Sequence, residues 1–223
     1  KVVAPLVAHL HLQGIHLYPY LDDWLLHASS KSQLLKEVGI VCHCLQIHGF
    51  LLNLKKCKLV PTQDMTFIGA RFRTDLNMVY LPDARVATLQ GLLERVLSCL
   101  TVSVRVWMRL QGYMAASVFT VPWARFHLHP LWSHLLSHWN PRVGCLEDLI
   151  PVSPPILQWW RVRDNLLKGV PLQKGVQLVL TTDASSLGWG TTLGSLSVQA
   201  RWTWLESRRS SNWRELSAVL RAV

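Results

Sequence analysis

Two adjacent carboxylates, Asp22 and Asp23, stand between two strongly apolar stretches of the sequence. A two-residue hairpin turn usually carries Asn-Gly or Asp-Gly, because these residues accept a positive φ. Adjacent carboxylates repel each other, and a divalent cation such as Mg²⁺, which prefers clustered oxygen ligands, would relieve that repulsion. The pair therefore indicates a metal site, although an isolated Asp-Asp pair is also typical of a solvated acidic turn.

Asp183 and Glu215 form a second candidate site towards the other end of the chain. Asp183 stands just after an apolar predicted strand, and Glu215 lies in a predicted helix. Both side chains could bind Mg²⁺, but each also has an ordinary structural interpretation. Asp183 is typical of a turn that ends a strand, and Glu215 follows Asn212 by three residues, as the partner in a capping box does.

Residues 1–82 are predicted to mix helices and strands around the first acidic pair. Apolar spacing indicates helices over residues 2–13 and 30–48, and Gly49 ends the second as a C-cap glycine. Residues 15–27 predict two short strands that meet at the acidic turn. Further strands are predicted over residues 51–59, 66–72 and 79–81, with a turn at residues 75–77.

Residues 83–175 are predicted to be mostly helical. Helices are expected over residues 83–97, capped by Asp83, over 103–117, capped by Ser103, and in a stretch that begins after Pro130. A Pro-rich loop over 141–155, a short helix over 156–167 and a turn over 169–175 lead to a domain boundary. Residues 176–223 then predict three antiparallel strands, over 176–182, 188–193 and 197–204, and a helix that Asn212 opens. The predicted fold class is α+β.

The chain is basic, with 23 Lys and Arg against 13 Asp and Glu and a formal charge of +10. Such a surplus favours a polyanionic partner or an anionic membrane face. Residues 1–150 hold 14 basic and 9 acidic residues and residues 151–223 hold 9 and 4, so each part carries +5. A charge spread in this way suits a groove that follows a phosphate backbone.

Membrane and zinc chemistry fit the sequence poorly. The longest uncharged run, residues 2–21, contains two Pro and three His, so it is not expected to span a membrane. No secretory signal opens the chain and the five Cys have no framework-like spacing, which predicts an intracellular protein, in cytoplasm or nucleus, with reduced thiols. Cys42 and Cys44 are not expected to bind zinc, because C-x-C on a helix points the two thiols to different faces.

Three motifs, taken in order, resemble those of reverse transcriptases. Tyr20-Leu21-Asp22-Asp23 resembles the Y-x-D-D signature, and residues 49–57, GFLLNLKKC, resemble the G-x-x-x-N-x-x-K segment that follows the catalytic hairpin. Phe67-Ile68-Gly69 is similar to the primer-grip hairpin. Each motif alone has an ordinary explanation. Coincidence does not readily explain three motifs in the order that the family has them.

The resemblance implies a role for each matching residue. Asp22 and Asp23 would be catalytic and would hold two Mg²⁺ ions, or Mn²⁺, that activate the primer hydroxyl. Substrate contacts would come from Tyr20, from Lys56 at the incoming triphosphate, from Phe67 and Gly69 at the primer, and from Arg105 and Arg109 at phosphates of the nucleic acid. A carboxylate from an upstream strand completes such a site in this family. The 223-residue chain is therefore expected not to polymerise DNA alone.

A second resemblance covers the C-terminal part. Residues 181–190, TTDASSLGWG, resemble the opening of retroelement ribonuclease H domains, and residues 212–219, NWRELSAV, resemble the helix that supplies that enzyme's catalytic Glu. Asp183 and Glu215 would then be catalytic and share Mg²⁺ ions that activate water against the RNA strand of an RNA–DNA hybrid. A further Asp, expected on a later strand, would complete this site.

The resemblance predicts a fragment of a retroelement polyprotein. Its parts are a C-terminal portion of a polymerase palm (1–82), a thumb and connection (83–175) and the N-terminal half of a ribonuclease H-like α/β domain (176–223). Expected partners are an RNA template, a DNA primer, RNA–DNA hybrid, deoxynucleoside triphosphates and the rest of the polyprotein, with no membrane. The motifs are most similar to those of DIRS-type elements, with gypsy-type elements and pararetroviruses as competitors. A decayed or repurposed copy that binds nucleic acid without catalysis is the alternative.

Overall fold

The computed structural model describes residues 3–173 and 178–222. The chain divides into two compact units, residues 1–173 and residues 174–223. Helices and strands are mixed in both units. In the part of the chain that the structure describes, no helix is long and apolar enough to cross a membrane.

The first unit opens with a hairpin set between two helices: α1 (Val3–Leu12), β1 (His16–Tyr20), β2 (Asp23–His27) and α2 (Lys31–Ile47). The Ser30 hydroxyl caps α2 by accepting a hydrogen bond from the Gln33 N–H, and Gly49 follows its end with φ +81°. These elements confirm the predictions for residues 3–49. A small core joins them, with Leu10 and Leu17 almost fully buried.

Residues 51–59 do not form the predicted strand. They make a turn in which the Lys56 and Cys57 N–H groups both donate to the Asn53 carbonyl oxygen, at 2.9 and 3.1 Å. Leu51 is fully exposed, so the apolar residues of this stretch do not all face a core. An apolar run predicts a strand only where a neighbouring strand pairs with it, and the described residues offer none here.

The predicted strand over residues 66–72 is two strands. β3 (Asp64–Phe67) and β4 (Ala70–Arg73) form a hairpin around Ile68 and Gly69, whose φ values are +47° and +74°. Two positive φ values in a two-residue loop define a type I′ turn, in which Gly is favoured. β5 (Met78–Tyr80) continues this sheet, and β8 (Val170–Pro171) pairs with β5 as its fourth strand.

Helices dominate the rest of the first unit, where one predicted cap and one predicted start were wrong. The bounds are α3 (Asp83–Leu97), β6 (Thr101–Ser103), α4 (Val104–Ala116), α5 (Ala124–His138), β7 (Leu149–Pro151), α6 (Pro154–Arg161) and α7 (Arg163–Leu167). Pro82, not Asp83, is the N-cap of α3. Pro130 lies inside α5 rather than before it, because the buried stripe of Ala124, Leu128 and Leu131 continues through it.

The helical part has its own core, which includes two fully buried indoles, Trp107 and Trp160. The Trp160 N–H donates to the His127 carbonyl oxygen at 3.2 Å. β6 pairs with β7, so the predicted loop over residues 141–155 contains a strand. The predicted helix over residues 156–167 is broken at Val162, where the backbone is extended and α6 gives way to α7.

The second unit is a three-stranded antiparallel sheet with two helices. Its elements are β9 (Leu180–Ala184), β10 (Gly188–Leu193), β11 (Leu196–Arg201), α8 (Trp204–Ser207) and α9 (Ser211–Ala222). The sheet order is β11-β10-β9, which confirms the predicted antiparallel succession. Residues 174–177, which include the start of the predicted first strand and the end of the predicted 169–175 turn, lie outside the described residues.

Candidate active sites

Asp22 and Asp23 lie at the tip of the β1–β2 hairpin. Tyr20 pairs with Asp23 across the two strands, so Leu21 and Asp22 form the turn. Leu21 has a φ of +50°, which an L-residue rarely adopts, and its carbonyl oxygen accepts a hydrogen bond from the Trp24 indole N–H at 3.2 Å. Both carboxylates are therefore presented to solvent on a turn whose backbone is strained.

Packing below the tip holds this turn in place. Leu17 is 1% exposed and enters the core between α1 and α2, while its carbonyl oxygen lies 2.8 Å from His11 Nε2. Tyr18 and Tyr20, which alternate with the inward positions of the strand, are each about half exposed. The register of the hairpin is thus fixed by Leu17, and a one-residue slip would bury the wrong side chains.

The remaining predicted residues of this site belong to other elements of the first unit. Lys56 is exposed in the Asn53–Cys57 turn. Phe67 precedes the type I′ turn between β3 and β4, and Gly69 is the second residue of that turn. Tyr20, in contrast, lies next to the acidic pair, because it pairs with Asp23 across the β1–β2 hairpin. The substrate-binding roles of all four residues stay predictions.

Arg105 and Arg109 lie one turn apart on α4, on the same side of the helix. The Arg105 Nε atom is 2.7 Å from a carboxylate oxygen of Glu147, and both side chains are about two-thirds exposed. Arg109 has no ion pair with the described residues. Of the two, Arg109 is the one free to meet a phosphate.

Several other acidic residues are already neutralised by arginine. Arg71 forms two hydrogen bonds to Asp64, at 2.7 and 2.8 Å, and Arg73 forms two to Asp75, at 2.7 and 2.9 Å. These hydrogen bonds lower the pKa of both carboxyls below the usual range. Such carboxylates already have a cationic partner, so they are poor candidates for a metal ion.

The four predicted site carboxylates differ from these. Asp22, Asp23, Asp183 and Glu215 are exposed, and none makes an ion pair within residues 3–173 and 178–222. Within the same residues, no group of three or more His, Cys, Asp or Glu side chains is close enough to hold a metal ion. Mg²⁺ commonly binds through one or two carboxylates, water and substrate phosphates, so the chemistry of exposed, unpaired carboxylates such as these fits it.

Asp183 lies near the end of β9 on its exposed face, since Thr182 and Ala184 on either side point towards the packed face. A turn built by Ser185 follows it. The Ser185 hydroxyl accepts the N–H groups of Leu187 and Gly188, each at 3.1 Å, and the Trp202 indole N–H donates to the Ser185 carbonyl oxygen at 3.0 Å. The A-S-x-x-G part of the motif thus fixes the strand end that carries Asp183.

The two glycines after this turn have different roles. A Cβ on Gly188 would overlap the Ala200 carbonyl oxygen on the neighbouring strand, so a side chain there would force β10 and β11 apart. Gly190 has only ordinary contacts, at 3.9 and 4.0 Å, with Val198 and Gln199. The first glycine of the G-x-G motif is required sterically, whereas the second is not.

Glu215 lies in the first half of α9, which packs against β9 and β10. Ala218, three residues later, is fully buried on the same side of the helix. The alternative interpretation of Glu215, as the capping-box partner of Asn212, does not hold. α9 begins before Asn212, and the Ser210 hydroxyl accepts the Trp213 N–H at 3.2 Å. The Glu215 carboxylate is therefore not occupied by a capping role.

A capping box does occur at α8, between Thr203 and Glu206. Hydrogen bonds from Thr203, together with the ion pair to Arg221, lower the pKa of Glu206 below its usual range. Glu206 is thus a structural carboxylate that ties α8 to α9. Residues 174–223 contain three acidic residues, and Glu206 is the one besides Asp183 and Glu215.

Arginine and tryptophan side chains lie together near these helices. The Arg208 guanidinium lies 3.9 Å from the ring centre of Trp204, and that of Arg209 lies 5.8 Å from Trp213. Contacts at these distances are cation–π interactions. Arg208 and Arg209 were not predicted as site residues, although two adjacent arginines between a predicted strand and a predicted helix are a visible basic signal.

Solved structures with a similar fold are those of foamy viral proteins. The protease-reverse transcriptase dRH in complex with ds DNA matches with a TM-score of 0.63 and 16% identity, over 99% of this chain and 37% of that one. The protease-reverse transcriptase in complex with RNA/DNA hybrid gives 0.64 and 16%, over 99% and 30%. Its complex with dsDNA gives 0.59 and 17%, over 97% and 44%.

The chain has the fold of part of a protease-reverse transcriptase. It spans between about a third and a half of the length of these neighbours. At 16–17% identity the likeness establishes the fold and nothing further. No protein-family model matches the sequence, and no curated protein is significantly similar to it.

Proposed function

We propose that the chain is the reverse transcriptase and ribonuclease H region of a retroelement polyprotein. The observation that carries this proposal is the fold, which is similar to that of part of a protease-reverse transcriptase, together with the exposure of the acidic side chains at the motif positions. Asp22, Asp23, Asp183 and Glu215, at the motif positions, are exposed and without arginine partners in the described residues, whereas Asp64 and Asp75 are paired.

In the ribonuclease H part, Asp183 and Glu215 would hold Mg²⁺ at the RNA strand of a hybrid. The ions would supply a water nucleophile of lowered pKa and neutralise charge on the phosphate. The protein's own contribution is position: Ser185 fixes the end of β9, and Ala218 packs α9 against the sheet. In the family that the motifs resemble, a further Asp completes such a site.

In the polymerase part, Asp22 and Asp23 would hold a pair of Mg²⁺ ions at the primer terminus and the incoming deoxynucleoside triphosphate. Leu17 and the strained Leu21 turn hold these carboxylates at the exposed tip of the hairpin. Tyr20, Lys56, Phe67 and Gly69 would contact nucleotide and primer. In the family that the motifs resemble, a carboxylate from an upstream strand completes such a site.

The charge distribution supports nucleic acid as the partner. Residues 1–173 hold 17 basic and 10 acidic residues, and residues 174–223 hold 6 and 3, so the units carry +7 and +3. Positive charge in both units suits contacts along a phosphate backbone. RNA template, DNA primer and RNA–DNA hybrid are the proposed partners, the motifs favour a DIRS-type element, and the proposed location is intracellular.

A non-catalytic nucleic-acid-binding protein is the second candidate. It is favoured by the small number of carboxylates, because each candidate site has only two among the described residues. The basic charge of both units would serve such a protein equally well. The two candidates differ in whether a divalent cation takes part in binding.

Titration of a labelled RNA–DNA hybrid, with Mg²⁺ or with EDTA at equal ionic strength, separates them. We expect the chain to bind the hybrid more tightly with Mg²⁺, because the ion bridges phosphate and carboxylate oxygens. The double change Asp183→Asn and Glu215→Gln should remove that Mg²⁺ dependence in fluorescence anisotropy. The double change Asp164→Asn and Glu94→Gln, which also removes two negative charges from exposed side chains without ion pairs in the described residues, is the control and should leave it intact. Binding indifferent to Mg²⁺ in the unchanged chain would favour the second candidate.

A further inference from the structure

The connection between α4 and α5, together with the first turn of α5, exposes three large aromatic side chains. Phe119, Trp123 and Phe126 are 78%, 77% and 71% exposed. They lie within eight residues of one another, far above the exposure usual for aromatic side chains in a folded domain. Burial of apolar surface drives folding, so side chains of this size left in solvent mark a place where a partner binds.

The connection that carries these aromatics is firmly held. Thr120, Val121 and Ala124, which lie between the rings, are buried, and so is Ser117, which precedes them. The Ser117 carbonyl oxygen accepts the N–H groups of Thr120 and Val121, at 3.0 and 2.9 Å, and the hydroxyl of Thr120 at 3.1 Å. One side of the connection is thus fixed to the core while the other presents rings to solvent.

Trp123 also has a backbone conformation that suits glycine better. Its φ is +64° and its ψ is −1°, in the left-handed region. A residue with a Cβ is strained there, and a highly exposed indole makes few packing contacts that could offset the strain. The stability of the fold therefore does not explain why a tryptophan stands at position 123, which points to a role for its ring.

The charge around the connection identifies the class of partner. Residues 95–146 contain five arginines and no Asp or Glu. Arg125, which is exposed, lies between Trp123 and Phe126 in the sequence. Arg105 pairs with Glu147, whereas Arg125 makes no ion pair with the described residues. An unpaired arginine beside exposed rings suits a polyanion better than a protein partner, whose interface would carry both signs.

We infer that Phe119, Trp123 and Phe126 are a stacking platform for unpaired bases of a single-stranded nucleic acid, with Arg125 at its phosphates. Aromatic rings bind unpaired bases by stacking irrespective of sequence, whereas bases within a duplex already stack on their neighbours. The platform is distinct from both acidic pairs and needs no metal ion. It would hold a single-stranded stretch of template or product.

The test is the affinity of the chain for a labelled 12-nucleotide strand of DNA or RNA, in EDTA. Trp123→Gly should weaken binding roughly 5- to 150-fold, the range for loss of one stacked base. The melting temperature should not fall, because glycine accepts the left-handed backbone. Trp132→Ala, which removes a 42% exposed indole from the same helix, is the matched control and should bind like the unchanged chain.

Any of the following results would overturn the platform. The unchanged chain does not bind single strands, Trp123→Gly binds them as well as the unchanged chain, or the loss is equal for a blunt duplex of the same length. A change in sedimentation of Trp123→Gly without a change in binding would indicate a protein interface instead, and also overturns it. Asp183→Asn should bind the single strand normally, so this result is independent of the Mg²⁺ test of the acidic pairs.

Discussion

Asp183→Asn should reduce Mg²⁺-dependent cleavage of the RNA strand in a hybrid by at least about a thousandfold, in a version of the chain extended beyond Val223. An amide in place of the carboxylate removes the negative charge that holds the ion near the phosphate. The ion supplies several kcal/mol of transition-state stabilisation, and each factor of ten in rate corresponds to about 1.4 kcal/mol. Single-turnover cleavage of a hybrid with labelled RNA measures the effect.

Asp164→Asn is the matched control for this change. Asp164 is exposed on α7 and makes no ion pair in the described part of the chain, so its loss alters net charge equally. Cleavage by this variant should match that of the unchanged extended chain. Equal cleavage by Asp183→Asn, or an equal loss in Asp164→Asn, would contradict the assignment of Asp183.

Trp160→Ala should destabilise the first unit by about 3–5 kcal/mol, the usual cost of removing a large buried aromatic side chain. The indole is fully buried in the helical core, and its N–H donates to the His127 carbonyl oxygen at 3.2 Å. Trp159 stacks on the His127 ring with 4.0 Å between ring centres, so the cavity would also loosen that contact. Urea unfolding followed by circular dichroism measures the change.

Trp132→Ala serves as the control for the loss of an indole. Its ring is 42% exposed, so truncation should cost less than about 1 kcal/mol. If the two variants unfold at the same urea concentration, Trp160 does not organise the helical core as the structure indicates.

Local signals in the sequence were enough to place much of the fold. Ser30 and Ser103 cap α2 and α4 as predicted, and Gly49 follows α2 with a positive φ. Each signal acts through hydrogen bonds or backbone preferences within a few residues, which is why a sequence reveals it. The antiparallel strands β9 to β11 were found in the same way, from apolar runs separated by turns.

Errors arose where distant contacts decide the structure. Residues 51–59 are apolar enough for a strand but lack a pairing neighbour in the described residues. Pro130 was expected to precede α5, yet packing of Leu128 and Leu131 on either side keeps the helix continuous. The pairing of β5 with β8 joins residues about ninety positions apart, which no local pattern indicates.

The candidate sites were only partly visible in the sequence. The four carboxylates were selected by motif, but their freedom from arginine was not predictable, because it depends on which side chains meet. Arg71 reaches Asp64 across two strands, and Arg221 reaches Glu206 across two helices. The exposure of Trp123 was likewise hidden, since eleven Trp residues in the sequence could each be core or surface.

The most direct test of the proposed function is paramagnetic relaxation by Mn²⁺, recorded on the backbone amides of the isotope-labelled chain. Trace Mn²⁺ should broaden the amide signals around Asp22 and Asp23 and, separately, those around Asp183 and Glu215. Asp22→Asn should remove the first effect and Asp183→Asn the second. Broadening centred instead on Asp64 and Asp75, or spread evenly over the exposed acidic residues, would contradict a metal-binding role for the two pairs.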